Sequence, residues 1–546
     1  MNSVLQNSLA REKISAFIMY FINIWRQGIL YRAINSFKTN YQLSVTKKFW
    51  IRFCEFDSGI EKSYYYKLAG FLREILYSIG YAIEQSLFYR LLIWIKDKYF
   101  SITKGSIVFC CIHKLSLHQW LLVAFALYLP IEYVIRVKIA FSPLASAWEE
   151  LFIFVSVVFL LWRKALRQTV AIKRETALDG YIIMFMAVGL LLMSAVNPYP
   201  AVALAGYRAV VQYMVWFFII LRLIEDDQDF KIVYYTFLGM GALLCLHGIY
   251  QYVIAVPIPA TWVTQTEMGV RTRVFSLTGS PNIFGSLIVL LAPMAAGLIY
   301  FSKKKWMKFL YFCITGIICL CLLFTFSRGA WVGMVVAVIV FALFIDRRLL
   351  VLMAAAVAGV LVFVPSITNR LTYLFTSDYA EASAIGGRAL RWQVGKMLLL
   401  ENNPWLGFGL GRFGGAVAMN NKILDETEEF YYFYMDNYYL KTMVEMGYIG
   451  IIFFIILLAA LVIWGLRAIY RSNIEHISDR EDPLFRNIGN PKALSVGIFS
   501  GLIGVLVHCY FENIFEEPYM MAYFWGLAAM LMYLGFFRRG QLFPNK

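Results

Sequence analysis

The chain has 546 residues, of which 60% are hydrophobic and only 15% are charged, and its mean hydropathy is +0.65. These values exclude an ordinary soluble protein, because repeated apolar runs of about 18 residues or more are typical of helices that cross a bilayer. The formal net charge of +16 does not indicate nucleic-acid binding, since Lys and Arg of membrane proteins concentrate in cytoplasmic loops and meet anionic lipid. We therefore expect membrane lipids, and no nucleic acid, among the partners.

The first part of the chain, residues 1–116, differs from the rest. Apolar residues such as Phe17, Phe21 and Leu92 recur at helical spacing, but Lys and Arg interrupt every candidate span. We predict a basic amphipathic region that lies on the cytoplasmic membrane surface. Its role is either partner docking and regulation or simple anchoring.

Residues 117–546 are predicted to form an all-α polytopic membrane domain. Apolar runs predict about twelve spans with both termini inside. The orientation follows the positive-inside rule, with Lys303, Lys304 and Lys305 in one inside loop and Arg347 and Arg348 in another. The predicted spans are 119–136, 149–163, 180–196, 202–223, 232–254, 281–301, 309–326, 329–345, 349–365, 440–465, 494–512 and 519–536.

A long polar interval, residues 366–437, interrupts the spans and is predicted to face outward. It contains Arg388 and Arg391, which are candidates for binding a phosphate or a glycan. Trp405 could stack on a sugar or anchor the loop at the membrane interface. Glu429 belongs to an acidic cluster without calcium-loop spacing, and it is part of a solvated face or a reserve base.

Four further arginines are predicted on the same outer side: Arg208, Arg271, Arg273 and Arg328. Arg208 lies about two turns inside a span, where an ionisable group is costly and marks a functional site unless it snorkels to the headgroups. Arginine suits bidentate binding of phosphate. The set therefore indicates a phosphate-bearing substrate, with lipid phosphates as the alternative. Ser327 is expected to cap the following helix, whose N-terminus also favours an anion.

An ordered set of motifs resembles the O-antigen ligase and O-antigen polymerase superfamily. The likeness covers roughly residues 116–537 and leaves the N-terminal region outside. The motifs are FSRGAW at 326–331, Arg273 with GSPN at 279–282, NPWLGFG at 403–409, DNYYL at 436–440 and EMG at 445–447.

The resemblance implies a GT-C-like glycosyltransferase of the bacterial cytoplasmic membrane with an outward-facing, periplasmic site. Such an enzyme takes a glycan from an undecaprenyl-diphosphate-linked oligosaccharide and transfers it to an acceptor hydroxyl, with inversion and without a metal or cofactor. The acceptor is lipid A core in ligases and another lipid-linked repeat unit in polymerases. A chain-length regulator and other envelope-assembly proteins are the further partners implied.

Residue roles follow from that chemistry. Arg273 and Arg328 would stabilise the diphosphate leaving group. Asp436 would be the base for the acceptor hydroxyl, and capping of the next helix is its alternative role. Ligases usually have a histidine before Asn437, so the aspartate here favours a polymerase over a ligase. Asn437 and Tyr438 complete the motif as candidate substrate contacts.

The last candidates lie near the outer end of the eleventh predicted span. His508, Glu512 and Glu516 line the acceptor cavity or form hydrogen bonds within the bundle.

Two other classes share parts of this pattern. A transporter or flippase of lipid-linked oligosaccharide would show related halves and polar residues near the membrane midplane. A scaffold or sensor would not need clustered arginines around a carboxylate. Neither an internal repeat nor midplane clustering is present in the sequence, which favours the enzyme.

Overall fold

The structure is a computed structural model that describes residues 64–86, 89–91, 93–94, 98, 115–139, 142–166, 174–196, 198–257, 272–363, 365–377, 380–381, 384, 387–422, 433–479 and 491–538. Within these ranges all regular elements are helical, which confirms the predicted all-α polytopic membrane fold. The helices of the first half are α1 (Tyr64–Gln85), α2 (Leu117–Ala126), α3 (Tyr128–Tyr133, continued as a π-helix), α4 (Ser142–Ala165), α5 (Ala177–Val196), α6 (Pro200–Val211), α7 (Val215–Leu223), α8 (Asp227–Val253) and α9 (Pro281–Phe301).

The second half contains the long kinked helix and the loop-bearing region before it. Its helices are α10 (Lys305–Phe324), α11 (Arg328–Phe344), α12 (Arg348–Phe363), α13 (Pro365–Thr372), α14 (Arg388–Glu401), α15 (Ala416–Asn421), α16 (Tyr438–Asp479), α17 (Pro491–His508) and α18 (Pro518–Met532, continued as a π-helix).

The predicted spans all coincide with helices, but not all of these helices are long. Among the described residues, nine helical stretches are long and apolar enough to cross a membrane. A tenth arises if α2 and α3, which are bent by 76°, form one span. Helices α11 and α12 are apolar but shorter, so nine or ten of the about twelve predicted spans meet this criterion of length and composition.

The centre of the bundle is built on close antiparallel packing of α17 against α9. A Cβ on Gly497 would lie 2.7 Å from the Pro293 carbonyl oxygen, and one on Gly501 would lie 2.9 Å from that of Leu290. Small residues allow this approach because membrane helices associate by van der Waals packing and not by hydrophobic burial. On its other side α17 meets α11, where Gly504 faces the Gly333 carbonyl.

The two ends of the bundle differ. Helices α6, α9, α11, α16 and α18 begin at one end, which we call the long-loop end because the segment between α12 and α16 leads to it. There the Tyr438 amide donates to the Cys509 carbonyl oxygen over 2.9 Å, so α16 begins where α17 ends. At the opposite end Arg538 forms an ion pair of 2.9 Å with Asp227, which joins the end of α18 to the start of α8.

A kink in α16 joins two of the sequence motifs. Gly447 has φ +66° inside the helix, and there the chain of 403–409 forms backbone hydrogen bonds with it. Phe408 donates to Val444 over 2.7 Å and Tyr448 donates to Pro404 over 2.8 Å. The NPWLGFG and EMG segments therefore form one backbone-bonded unit that holds the loop against α16.

We expect Gly447→Ala to destabilise the protein. A Cβ would lie 2.3 Å from the Trp405 carbonyl oxygen, and a non-glycine residue at positive φ costs about 1–3 kcal/mol before that clash is counted. Thermal unfolding of the purified protein in detergent measures the change. Gly239→Ala on α8 is the matched control, because nothing lies within 4 Å of its Cβ position. Equal unfolding temperatures for the two variants would contradict the assigned backbone geometry.

Candidate functional site

Arg273 is held in the interior of the long-loop end, beside the turn that leads into α11. It is 8% exposed, and its Nε donates to the Thr325 carbonyl oxygen over 3.1 Å. The neighbouring Val274 amide donates to the Phe324 carbonyl over 3.1 Å. The loop before α9 thus lies along the α10–α11 turn, and this brings Arg273 close to the segment that carries Arg328.

Asn282, on the first turn of α9, bridges Arg273 to a carboxylate. Its Oδ1 accepts from the Arg273 guanidinium over 3.0 Å, and its Nδ2 donates to Glu512 in the loop between α17 and α18. Burial raises the pKa of Glu512, with the Arg388 guanidinium lowering it and the Asp436 carboxylate raising it. The Glu512 carboxylate, the Arg388 guanidinium and the Asp436 carboxylate therefore lie within electrostatic range of one another.

Asp436 is bound through both of its oxygens. Arg388 Nε donates to Oδ2 over 2.6 Å, and the Trp392 indole donates to Oδ1 over 3.1 Å. The same guanidinium donates to the Phe511 carbonyl oxygen over 2.9 Å. Arg388 and Trp392 lie one turn apart on α14, so this short helix places both donors on the one carboxylate, which is 8% exposed.

His508 ends α17 beneath the same loop. Its Nδ1 lies 2.6 Å from the Ser286 hydroxyl of α9. A Cβ on Gly329 would lie 2.8 Å from His508 Nε2 and 2.9 Å from Phe511 Cβ, so the first turn of α11 packs directly on His508. Arg328 is the first residue of α11 and is partly buried. Its backbone therefore lies beside the loop between α17 and α18, which carries Glu512.

Two capping expectations are corrected by the structure. Ser327 occupies the N-cap position of α11, but its side chain makes no capping hydrogen bond. At α16 the cap is made by Asn437, whose Oδ1 accepts from the Leu440 amide over 3.0 Å, and not by Asp436. Tyr438 is 2% exposed and its ring packs on Phe515, so it belongs to the core beneath the site.

A buried ion-pair group supports the site from below. Lys441 Nζ lies 2.8 Å from Glu445 and 3.5 Å from Glu516. Glu445 also accepts from the Phe413 amide over 3.2 Å, and Glu516 accepts from the Ala416 amide over 2.7 Å. Glu516 therefore forms hydrogen bonds within the bundle, which is one of its two predicted roles.

Three candidate residues lie apart from this group. Arg208 is paired with Glu150 on α4. Arg391 is partly buried and donates to the Tyr434 carbonyl over 3.5 Å. Trp405 is 62% exposed and packs edge-on against Tyr448. The remaining two candidates, Arg271 and Glu429, lie outside the described residues.

The sequence interpretation underrated two polar residues. The sequence predicts for Glu512 only a place in the acceptor cavity or within the bundle, and it predicts no role for Asn282 beyond its motif. Both stand at the ends of apolar helices, which is the one signal that could have singled them out. Their pairing joins residues 230 positions apart, and no local pattern shows such a contact.

The arrangement brings together the kinds of side chain that are needed to transfer a chemical group from one oxygen atom to another. Arg273, Arg388 and Arg328 supply cationic donors for an oxyanion. Asp436 and Glu512 supply carboxylates that can accept a proton or orient a donor. These residues come from separate elements, and the loop between α17 and α18 brings them together.

Comparison with known proteins addresses the predicted resemblance. No curated protein matches the chain. Residues 312–455, which include Arg328, Arg388 and Asp436, match the family model described as O-antigen ligase. The match excludes Arg273, Asn282 and Glu512, which reach the site through the fold. The predicted resemblance is thus confirmed, and residues 312–455 of this membrane protein are similar to the O-antigen ligase family.

Proposed function

We propose that the protein transfers a glycan from undecaprenyl diphosphate to an acceptor hydroxyl on the outer face of the bacterial cytoplasmic membrane, as a surface-polysaccharide polymerase of GT-C-like architecture. The supporting observation is the convergence of Arg273, Arg388, Asp436 and Glu512 at the long-loop end. The O-antigen ligase reaction is the second candidate, because the matched family model carries that description.

The arginines serve the leaving group. When the glycosidic bond to the diphosphate breaks, negative charge develops on the phosphate oxygen that departs. Arg273 is held in place by the Thr325 carbonyl and the Asn282 amide, so it is oriented before the substrate binds. Such preorganised cations stabilise the developing charge at little reorganisation cost. Arg328, at the helix N-terminus of α11, adds a second cation and the helix dipole. Departure then needs no metal ion.

Glu512 is the better placed of the two carboxylates to take the acceptor proton. Both oxygens of Asp436 accept hydrogen bonds, and the residue is 8% exposed. An acceptor hydroxyl would have to displace Arg388 or Trp392 to reach it. Glu512 is partly buried and is held by Asn282, which also contacts Arg273. Asp436 then orients Arg388, and its role as the base, predicted from the sequence, stays the alternative.

With the acceptor oxygen attacking the anomeric carbon, the bond to the diphosphate oxygen breaks and the acceptor proton passes to the carboxylate. Attack opposite the leaving group inverts the configuration.

A product assay tests the function. Purified protein is incubated in detergent with an undecaprenyl-diphosphate-linked oligosaccharide, and the products are separated by size. A ladder of lengthening products supports the polymerase, and a single transfer to a lipid acceptor indicates the ligase. Movement of the unaltered lipid across a vesicle membrane without covalent change would support a transporter and overturn the proposal.

The pH dependence of transfer distinguishes the two carboxylates. A base must be ionised, so activity falls as the pH drops through its pKa. Because burial raises the pKa of Glu512, we expect transfer activity to decrease at a pH above the usual glutamate pKa of about 4.3. Glu512→Gln should reduce kcat by about 10²–10⁴-fold, the usual contribution of a general base. In the Asp436→Asn variant the loss of activity should begin at a lower pH than in the wild type, because the Asp436 carboxylate raises the pKa of Glu512.

The opposite pattern assigns the base to Asp436. In that case Asp436→Asn abolishes transfer, while Glu512→Gln keeps most of it. Asn420→Asp, which changes the charge on an exposed residue of α15, is the matched control. All variants are compared at equal amounts of folded protein.

The orientation has its own test. In a cysteine-free background, Asn420→Cys on α15 should react with a membrane-impermeant thiol reagent added to intact spheroplasts. Lys304→Cys, an exposed position at the opposite end of the bundle, should react only after the membrane is opened. The reverse labelling pattern would place the long-loop end in the cytoplasm and remove the outward-facing site.

A further inference from the structure

An open groove lies between α4 and α7, far along the chain from the residues of the proposed site. It has a volume of about 190 Å³. Both helices belong to stretches that are long and apolar enough to cross a membrane, Ala145–Ala165 and Pro200–Leu223. The groove is lined by six apolar and two basic side chains: Val157, Leu160, Leu161 and Lys164 on α4, and Val215, Phe218, Ile219 and Arg222 on α7.

The lining residues form one stripe on each helix, because on both helices they stand at positions i, i+3, i+4 and i+7. Seven residues rise about 10 Å along a helix. Lys164 and Arg222 are each the next-to-last residue of their helix. Helix α7 continues the course of α6, which begins at the long-loop end, so these two cations lie at the opposite end of the bundle. The groove therefore starts beside them at the membrane boundary and continues into the apolar layer.

Ion pairs hold both walls of the groove at this boundary. Arg163 of α4 lies 2.6 Å from Glu225, which follows α7. Arg222 lies 2.9 Å from Asp179 of α5 and also donates to the Phe218 carbonyl oxygen over 3.2 Å. Bonds within the protein thus fix the walls, and the groove is formed before a ligand enters, as is usual for ligand sites.

The charged groups that line the groove are all cationic. Neither Asp179 nor Glu225 is part of the lining. Asp179 is fully buried and accepts from the Thr176 amide over 3.2 Å in addition to Arg222, so its carboxylate is enclosed by the protein. The Arg222 side chain is 16% exposed, and its two hydrogen bonds within the described structure use two of the five N–H groups of a guanidinium.

The shape and the charge of the groove indicate a lipid. Side chains beside an empty gap lose van der Waals contacts, and an acyl chain that enters from the bilayer restores them. Arginine and lysine both bind phosphate oxygens. Basic pockets between membrane helices on the cytoplasmic side bind the head groups of anionic lipids. A zwitterionic lipid fits less well, because its ammonium group is repelled by Lys164 and Arg222.

We propose that this groove binds an anionic phospholipid, with its phosphate at Lys164 and Arg222 and an acyl chain between α4 and α7. With the long-loop end on the outer face, the site belongs to the cytoplasmic leaflet. Undecaprenyl phosphate also combines a phosphate with a long chain, but the donor is assigned to the opposite end of the bundle. The inference goes beyond the proposed function and does not depend on glycan transfer.

Native mass spectrometry of the full-length protein in detergent measures the binding. Dioleoyl-phosphatidylglycerol, dioleoyl-phosphatidylethanolamine, undecaprenyl phosphate and inorganic phosphate are titrated separately. We expect saturable binding of phosphatidylglycerol and weaker binding of the other three. Lys164→Gln should weaken phosphatidylglycerol binding about fivefold, the usual contribution of one basic residue near anionic lipid. Arg222 is kept, because its loss would leave Asp179 buried without its ion pair.

A second variant tests the apolar part of the groove. Leu161 is 42% exposed, so the larger side chain of Leu161→Trp fills the groove without entering the core. Phosphatidylglycerol binding should fall to the level of phosphatidylethanolamine. The matched controls are Lys305→Gln, an exposed basic residue at the same end of the bundle, and Leu246→Trp, which is 48% exposed on α8. Both controls should bind like the wild type.

Thermal unfolding provides a readout that is independent of mass spectrometry. A ligand that binds the folded state raises the unfolding temperature by mass action. Phosphatidylglycerol should therefore stabilise the wild type and both controls more than it stabilises Lys164→Gln and Leu161→Trp. Without added lipid all five proteins should unfold at similar temperatures, which shows that the variants are folded.

Four results would overturn the site. They are equal binding of phosphatidylglycerol and phosphatidylethanolamine, equal phosphatidylglycerol binding by the wild type and Lys164→Gln, tighter binding of undecaprenyl phosphate, and binding of inorganic phosphate that depends on Lys164. The third result would make the groove a polyprenyl site, and the fourth would make it a site for free phosphate. None of them affects the proposed transfer reaction, which the product assay tests separately.

Discussion

The loop between α17 and α18 is the element on which the long-loop end depends. Its Phe511 carbonyl accepts from Arg388, its Glu512 accepts from Asn282, and its Glu516 accepts from Ala416. Helix α16 begins on the Cys509 carbonyl. The loop thus takes bonds from α9, α14, α15 and α16 at once. Polar groups at the end of an apolar bundle must find partners in the protein, and this short segment provides them.

This constraint explains why the arginines and carboxylates are found together. Arg388 neutralises Asp436, and Asn282 separates Arg273 from Glu512 while bonding to both. Removing one member would leave another buried and unpaired, which is costly. The site is therefore held in a fixed geometry before any substrate arrives, which suits a reaction that depends on placed charges. A second pairing scheme holds Glu132 and Glu149 in the same way, because Arg136 forms an ion pair with each of them.

The kink at Gly447 links this chemistry to the wider fold. The backbone bonds between 403–409 and α16 fix the loop that also carries Phe413, whose amide donates to Glu445. Glu445 in turn pairs with Lys441, and Lys441 faces Glu516 in the α17–α18 loop. The NPWLGFG and EMG motifs are therefore mostly structural, because they set the position of the loop. The residues to which we assign chemistry, Arg273, Arg328 and Asp436, belong to the other motifs.

The apolar runs alone indicated an all-helical membrane fold and the approximate positions of its spans, because the cost of burying a bare backbone in lipid leaves few alternatives. They did not show α14 and α15, which lie within the polar interval. The resemblance of the chain's motifs to the family also singled out Arg273, Arg328 and Asp436. Only the tertiary structure decided which charges meet. Glu512 finds Asn282 across 230 positions, and Arg208 finds Glu150 across 58. Such pairs depend on the packing of distant helices, and a sequence pattern reports only neighbours along the same helix.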